Sequence, residues 1–326
     1  KAPKVALTDD VLKQVIDYNK VVKAKYLCTS NDSYTNIYQA QNNFNSVQEL
    51  DFSNGFQSII NDSPDVLEVS DDIWERSSIY DLKSDTYLEN YCNNYSNTPT
   101  NKKRFLISND SSNEVKKLSI LLIDLFMDES QALDKLNSNT SNLISDKGVR
   151  FGKYGAFGGH KFEEYYRYLI LKDSNENNYT INFAVYSYDT YNEEQNEIRE
   201  SSYRGTYLMI GIDSDETSTH SIELKLDKHT TFNGDKVSIS HDGALTVKKR
   251  KPNRLMLDYL TQFQPNLIVN NKIHLGRLNL NKSLKMTDSD VINFLSNVVD
   301  YIYWREQLKS IIRAETGHLP NKRTVK

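Results

Sequence analysis

The sequence predicts an α+β fold: a helical N-terminal region, a central antiparallel β-meander and a helical C-terminal region. Three observations carry this expectation. Apolar residues recur at helical spacing near both ends, as Val11, Leu12, Val15 and Ile16 and again as Val291, Phe294, Leu295, Val298 and Val299. The middle third switches to runs rich in Tyr, Ile, Val and Phe, divided by turn residues. Except at residues 190–202, the links between these runs are too short for helical crossovers, so the strands pair antiparallel.

Along the chain, Thr8-Asp9-Asp10 caps a first helix that is expected to end near Tyr26. Residues 29–113 read as irregular structure with short amphipathic stretches at 56–60, 65–73 and 80–91. The strongest helix of the first half spans 113–136, capped by Ser111 or Ser112 and carrying Val115, Leu118, Leu122, Leu125 and Phe126. A polar stretch at 137–146 then marks a boundary. It separates an acidic, mainly helical domain (1–146) from a second one (147–326), in which a sheet precedes a basic helical subdomain at about 250–326.

Strands are expected at 149–154, 161–172, 179–188, 206–213, 221–227, 237–240 and 244–248. Residues 173–178 join two of them as a hairpin, and Asp242-Gly243 predicts a tight hairpin because a type I′ turn needs two positive φ angles. A helix is expected from Pro252 through Leu260 and Phe263, closed before Pro265. A strand pair within 267–280 turns at Asn270-Asn271, and Thr287-Asp288 opens a long helix that ends near Ala314.

The formal charge of -4 hides a strong asymmetry. Residues 1–227 hold 23 Lys and Arg against 36 Asp and Glu, whereas residues 228–326 hold 17 against 8, so an acidic body is joined to a basic end. Two cysteines, Cys28 and Cys92, are too few for a disulfide framework and imply a reducing, cytoplasmic setting. The longest apolar run, at 118–127, is too short to span a bilayer and contains Asp124, so no membrane role is expected. The first residues lack an apolar signal region and an initiating Met, which reads as a trimmed or processed start. With 34 Asn and 21 Tyr, the composition points to an AT-rich genome such as that of a low-GC bacterium, its phage or a virus.

Three constellations carry candidate chemistry. Asp213 lies ten residues before Glu223, which opens Glu223-Leu224-Lys225 on an alternating strand. This arrangement resembles the core of PD-(D/E)xK nucleases over some thirteen residues, although Ile212 rather than Pro precedes Asp213. The resemblance implies that Asp213 and Glu223, lying opposite each other on neighbouring strands, hold Mg²⁺ while Lys225 activates water. Glu-x-Lys also arises on any half-solvated strand, as a cross-strand ion pair.

Five glycines between Gly148 and Gly159 suit either a bulged hairpin or a loop that approaches a ligand. They match no nucleotide-binding fingerprint. The basic run Lys248-Lys249-Arg250-Lys251, with Arg254 and Arg277, reads as a phosphate-binding surface or as a solvated loop. Further cations at Lys282, Lys285, Arg305, Lys309 and Arg313 extend it, and Tyr259, Tyr301, Tyr303 and Trp304 suit either base stacking or core packing. The six histidines are scattered, only His229 and His241 lie close together in sequence, and surface or turn positions are expected for them.

The function these features predict is a nucleic-acid-associated protein of a bacterial or phage conflict system, restriction-like or antiviral. A Mg²⁺-dependent nuclease site at Asp213, Glu223 and Lys225 belongs to that reading. The alternative is a non-catalytic interaction or assembly protein whose oppositely charged halves contact a second copy or another protein.

Overall fold

The computed structural model describes residues 9–22, 24, 26–30, 35–41, 46–50, 74–93, 95–96, 104–155, 161–192, 197–199, 203–214, 220–247 and 249–316. The chain divides into two compact units, Lys1–Ile73 and Trp74–Lys326. In the first, helix α1 (Asp9–Val22) leads into an antiparallel sheet of β1 (Tyr26–Ser30), β2 (Thr35–Gln41) and β3 (Ser46–Leu50). Asn19 shapes the link, its amide donating to the Ala24 carbonyl at 2.9 Å and accepting the Ala24 N–H at 2.7 Å. Ile37, Tyr38 and Ala40 are buried on β2. A sheet thus stands where irregular structure was expected. The stretches at 56–60 and 65–73 lie outside the described residues.

The second unit opens with residues 74–78, then α2 (Asp85–Cys92), capped by Ser84 Oγ accepting the Tyr87 N–H. The short strands β4 (Tyr95–Ser96) and β5 (Arg104–Phe105) come next. Helix α3 (Asn113–Met127) starts at Ser112, whose hydroxyl accepts the Val115 N–H at 3.3 Å. It is apolar nearly all round, with Leu118, Leu121, Leu122 and Leu125 at most 1% exposed, so it belongs at the centre of the unit. Each such side chain contributes about 1.5–3 kcal/mol.

The helix stops at Met127, nine residues short of the expected end, because Asp128 adopts an extended backbone. Residues 131–138 then continue without regular structure, and buried Asp300 anchors the entry into the next strand. Its carboxylate accepts the Asn139 N–H at 3.0 Å and the Thr140 hydroxyl at 2.7 Å.

The meander comprises β6 (Ser141–Gly155), β7 (Lys161–Asp173), β8 (Asn178–Ser187), β11 (Thr206–Ser214) and β12 (His220–Lys225), in the order β12-β11-β8-β7-β6, all antiparallel. Strand β6 runs straight through the expected boundary at residue 146. Between β8 and β11 lie β9 (Thr190–Asn192) and β10 (Glu197–Arg199), which join β5 and β4 in a separate four-stranded sheet.

The period of two divides the meander's faces. Leu169, Leu171, Ile181, Phe183, Val185, Leu208, Ile210 and Leu224 join the main core, with Phe126 of α3 stacked on Phe183 at 5.4 Å. The other face buries Tyr166, Ala184, Tyr186, Tyr188, Tyr207 and Met209 as a second cluster.

After β12, α4 (Leu226–His229) leads to β13 (Thr230–Asn233) and β14 (Lys236–His241). Next come β15 (Leu245–Val247), β16 (Lys249–Lys251), α5 (Asn253–Phe263), β17 (Ile268–Val269), β18 (Lys272–Asn279) and α6 (Ser289–Glu315). A four-stranded sheet has the order β13-β14-β18-β17, and α6 lies against β18. Gly276 permits that approach, since a Cβ there would sit 2.9 Å from Phe294 Cβ.

Asn270 and Asn271 turn the β17–β18 hairpin with φ of 51° and 56°, as expected. Asp242-Gly243 closes no hairpin. Gly243 has φ of 81°, but β14 pairs with β13 and β18, while β15 pairs with β16. No helix among the described residues is long and apolar enough to cross a membrane.

Candidate functional site

The register separates the expected nuclease residues. Glu223 stands opposite Met209, not Asp213, and Asp213 pairs with Thr180 of β8. Four residues of strand place the Asp213 backbone about 13 Å along the sheet from Glu223. Two carboxylates bound to one Mg²⁺ at about 2.0–2.1 Å cannot bridge that span. The side chain of Asp213 lies outside the described residues. Glu223 Oε2 accepts the Tyr188 hydroxyl at 2.8 Å, and Lys225 Nζ donates to the Arg204 carbonyl at 2.6 Å. The lysine is thereby tied to backbone.

Glu223 and Lys225 do lie near a buried polar seam at one end of the meander. Ser108 donates its hydroxyl to Asp189 Oδ2 at 2.5 Å and its backbone N–H to Thr206 Oγ1 at 3.0 Å. Ser111 joins Thr206 to Asp227, donating to Asp227 Oδ2 at 2.9 Å. Tyr207 faces this seam, and burial pushes its hydroxyl up to about 12, helped by the negative charges of Glu223, Asp227 and Asp189. The tyrosine is therefore a neutral hydrogen-bonding group at any ordinary pH. The Ser108 hydroxyl on buried Asp189 and the Ser111 hydroxyl between Thr206 and Asp227 fix loop 106–112 to the strand ends, which is positioning chemistry.

The expected phosphate-binding residues divide into exposed and interior sets. Lys248 lies outside the described residues. Residues 249–251 form strand β16 rather than a solvated loop, with Lys249 and Arg250 exposed and Lys251 half-buried. Arg254 is exposed and pairs with Asp258 at 3.3 Å. Arg277 is exposed on β18, the strand that Lys272 opens.

Arg305 and Lys309 are instead buried, the first donating to the Ala244 carbonyl at 2.7 Å and the second paired with Glu306 at 2.5 Å. Tyr301 is buried and packs internally, whereas half-buried Trp304 stacks on exposed Phe263 with centroids 4.4 Å apart. Lys282 pairs with Asp288 at 3.0 Å.

One cluster overturns the surface positions expected of the histidines. His229 and His241 are both buried, with ring centroids 4.9 Å apart, and Asp242 borders them. Strand pairing of Thr230 with Ile239 brings the two histidines together. Burial lowers the His229 ring to about 4, and burial with the neighbouring Arg305 charge lowers His241 as well. Burial works against the Asp242 carboxylate, but hydrogen bonds from Lys228 and the Ala244 N–H prevail and hold it below the usual carboxylate range. At neutral pH the cluster is two neutral imidazoles and one anion.

No protein-family model, curated protein or solved structure matches the chain.

Proposed function

We propose that the chain associates with nucleic acid by gripping phosphates on the outward face of the β13-β14-β18-β17 sheet. The supporting observation is the composition of that face. Val237, Ile239, Ile273 and Leu278 turn inward, while Lys236, Ser238 and Ser240 alternate outward opposite Asn279, Arg277 and His274. Thr231 and Asn233 extend the face on β13, and Lys272 extends it beyond His274 on β18. None of these outward positions carries a carboxylate. Three cations and a row of hydroxyls and amides on one stiff surface is the chemistry that holds a phosphate backbone without reading bases.

Alongside it, an open cleft of about 490 Å³ runs from His274 and Arg277 to the first turns of α6 at Ser289, Asp290, Asn293 and Asn297. The helix start carries Asp288 and Asp290, which offset its positive potential there. Lys249, Arg250 and Arg254 supply further exposed cations. A catalytic role for Asp213, Glu223 and Lys225 with Mg²⁺ draws no support from their spacing, so the reading is one of binding. Its setting in a conflict system rests on composition alone.

The test is fluorescence anisotropy of labelled single- and double-stranded oligonucleotides with the full chain at rising salt. Binding should weaken linearly in log–log form, and Lys272→Glu with Arg277→Glu should flatten the slope by about one unit per cation. If the wild type binds neither oligonucleotide at low salt and its mass instead grows with concentration, the assembly reading replaces this one.

A further inference from the structure

We propose that His229, His241 and Asp242 form a binding site for a divalent transition metal of the zinc type. Their ligand atoms all lie within 4.8 Å of one another. A tetrahedral Zn²⁺ with bonds of about 2.0–2.1 Å holds its ligands about 3.4 Å apart, so a short closure assembles the site. Asp242 can supply it, because its side chain is 24% exposed while the histidines are fixed inside. Two imidazoles and one carboxylate suit zinc and its first-row neighbours and disfavour Mg²⁺, which takes oxygen ligands.

The surroundings set the ring tautomers. The Ser240 backbone beside the His229 ring favours a ring proton on that side, which directs the other nitrogen toward the site. His241 Nδ1 accepts the Gly243 N–H at 3.1 Å and lies 2.7 Å from the Tyr301 hydroxyl. Without metal, that places the neutral ring's proton on Nε2, 3.7 Å from Asp242 Oδ1. Metal at Nε2 requires the ring's single proton to shift to Nδ1, where the Tyr301 oxygen accepts it and the Gly243 N–H gives up its acceptor. Tyr301 is thus a positioning residue for the bound form.

Three cations oppose the ion: Arg305 beside His241, Lys272 near His229, and Lys228, whose Nζ holds Asp242 Oδ2 at 2.7 Å. Lys228 is a removable competitor, since its side chain is 57% exposed.

Titration of the tag-free full chain with Co²⁺, followed by visible absorption, tests the site. The expected result is saturation at one Co²⁺ per chain, displaced by Zn²⁺ and untouched by Mg²⁺. His229→Gln and Asp242→Asn should each abolish uptake with the far-ultraviolet circular dichroism unchanged. Tyr301→Phe should weaken binding by about 10–100-fold. Lys228→Ala, a surface change that leaves the fold alone, should tighten binding. Absence of saturable uptake by the wild type overturns the proposal, as does uptake that survives both ligand substitutions or is unaltered by Lys228→Ala.

Discussion

Arg167 and Asp146 meet in the interior as a two-point ion pair, Nε to Oδ1 at 2.8 Å and a terminal guanidinium nitrogen to Oδ2 at 2.6 Å, with both side chains 2% exposed. The same guanidinium donates to the carbonyls of Asp128 and Gln131, and Asp146 Oδ2 accepts the Leu133 N–H at 2.8 Å. One pair therefore ties the connector after α3 to strands β6 and β7. Asp146→Asn leaves a buried cation without its anion and should cost about 3–5 kcal/mol. Replacing both partners, Arg167→Met with Asp146→Leu, should cost less than the sum of the single changes, because no isolated charge remains. Urea denaturation midpoints of the three variants measure this, and a sum of singles equal to the double would show that the pair is uncoupled.

The separation of Asp213 from Glu223 has a measurable consequence. Groups more than about 7–10 Å apart that share no ligand act additively, within about 0.3–0.5 kcal/mol. Asp213→Asn and Glu223→Gln should therefore add in stability, both with and without Mg²⁺. Coupling that emerges only in Mg²⁺ would show that the two carboxylates share an ion despite their register.

The His229–His241 pair makes stability fall in acid. A ring whose folded pKa lies below its unfolded value of about 6.5 leaves stability fully present above that pH. As pH falls from about 6.5 to about 4, the unfolded chain takes up a proton that folded His229 refuses, and stability drops by up to roughly 3 kcal/mol before levelling. Lys228, Lys272 and Arg305 reinforce the refusal, and Asp242 partly offsets it. Urea midpoints at pH 7 and pH 5 should differ for the wild type, and the difference should shrink without vanishing for a folded His229→Gln variant, because buried His241 still refuses its proton.

Local pattern predicted the meander, the Asn270-Asn271 hairpin and the two C-terminal helices, because alternation, turn chemistry and helical spacing are properties of neighbouring residues. The sheet at Tyr26–Leu50 was hidden by its Asn, Gln and Ser content, which has weak strand preference, and only the pairing of β2 between β1 and β3 makes those residues strands. Asp242-Gly243 lacks the type I′ backbone, since only Gly243 has a positive φ, and the strand partners are chosen over distance, with Ile239 paired to Gly276. Charge counting took Arg305 and Lys309 for surface cations, although α6 is buried on several sides. The histidine pair rests on the β13–β14 hairpin, whose Thr230–Ile239 pairing sets the two rings side by side. Arg277, in contrast, was identifiable because an isolated cation on an alternating strand has one face to occupy.

The contact between Gly211 and Asn182 gives a sharper handle on the central sheet. These residues are register partners of β11 and β8 on the tyrosine-bearing face, and Asn182 is fully buried. A Cβ on Gly211 would lie 2.4 Å from Asn182 Oδ1 and 2.8 Å from its Nδ2, distances no packed pair tolerates. The amide occupies the volume that every other residue type would fill, so the glycine is required by its neighbour rather than by its backbone angles. Gly211→Ala should cost about 1–3 kcal/mol through overpacking. The clash belongs to the pair, so Asn182→Ala in the same chain should relieve it, and the double variant should lose less than the sum of the two singles. A double-mutant cycle by urea denaturation reads that coupling directly, and a neutral Gly211→Ala would mean that Asn182 has another rotamer open to it inside the sheet.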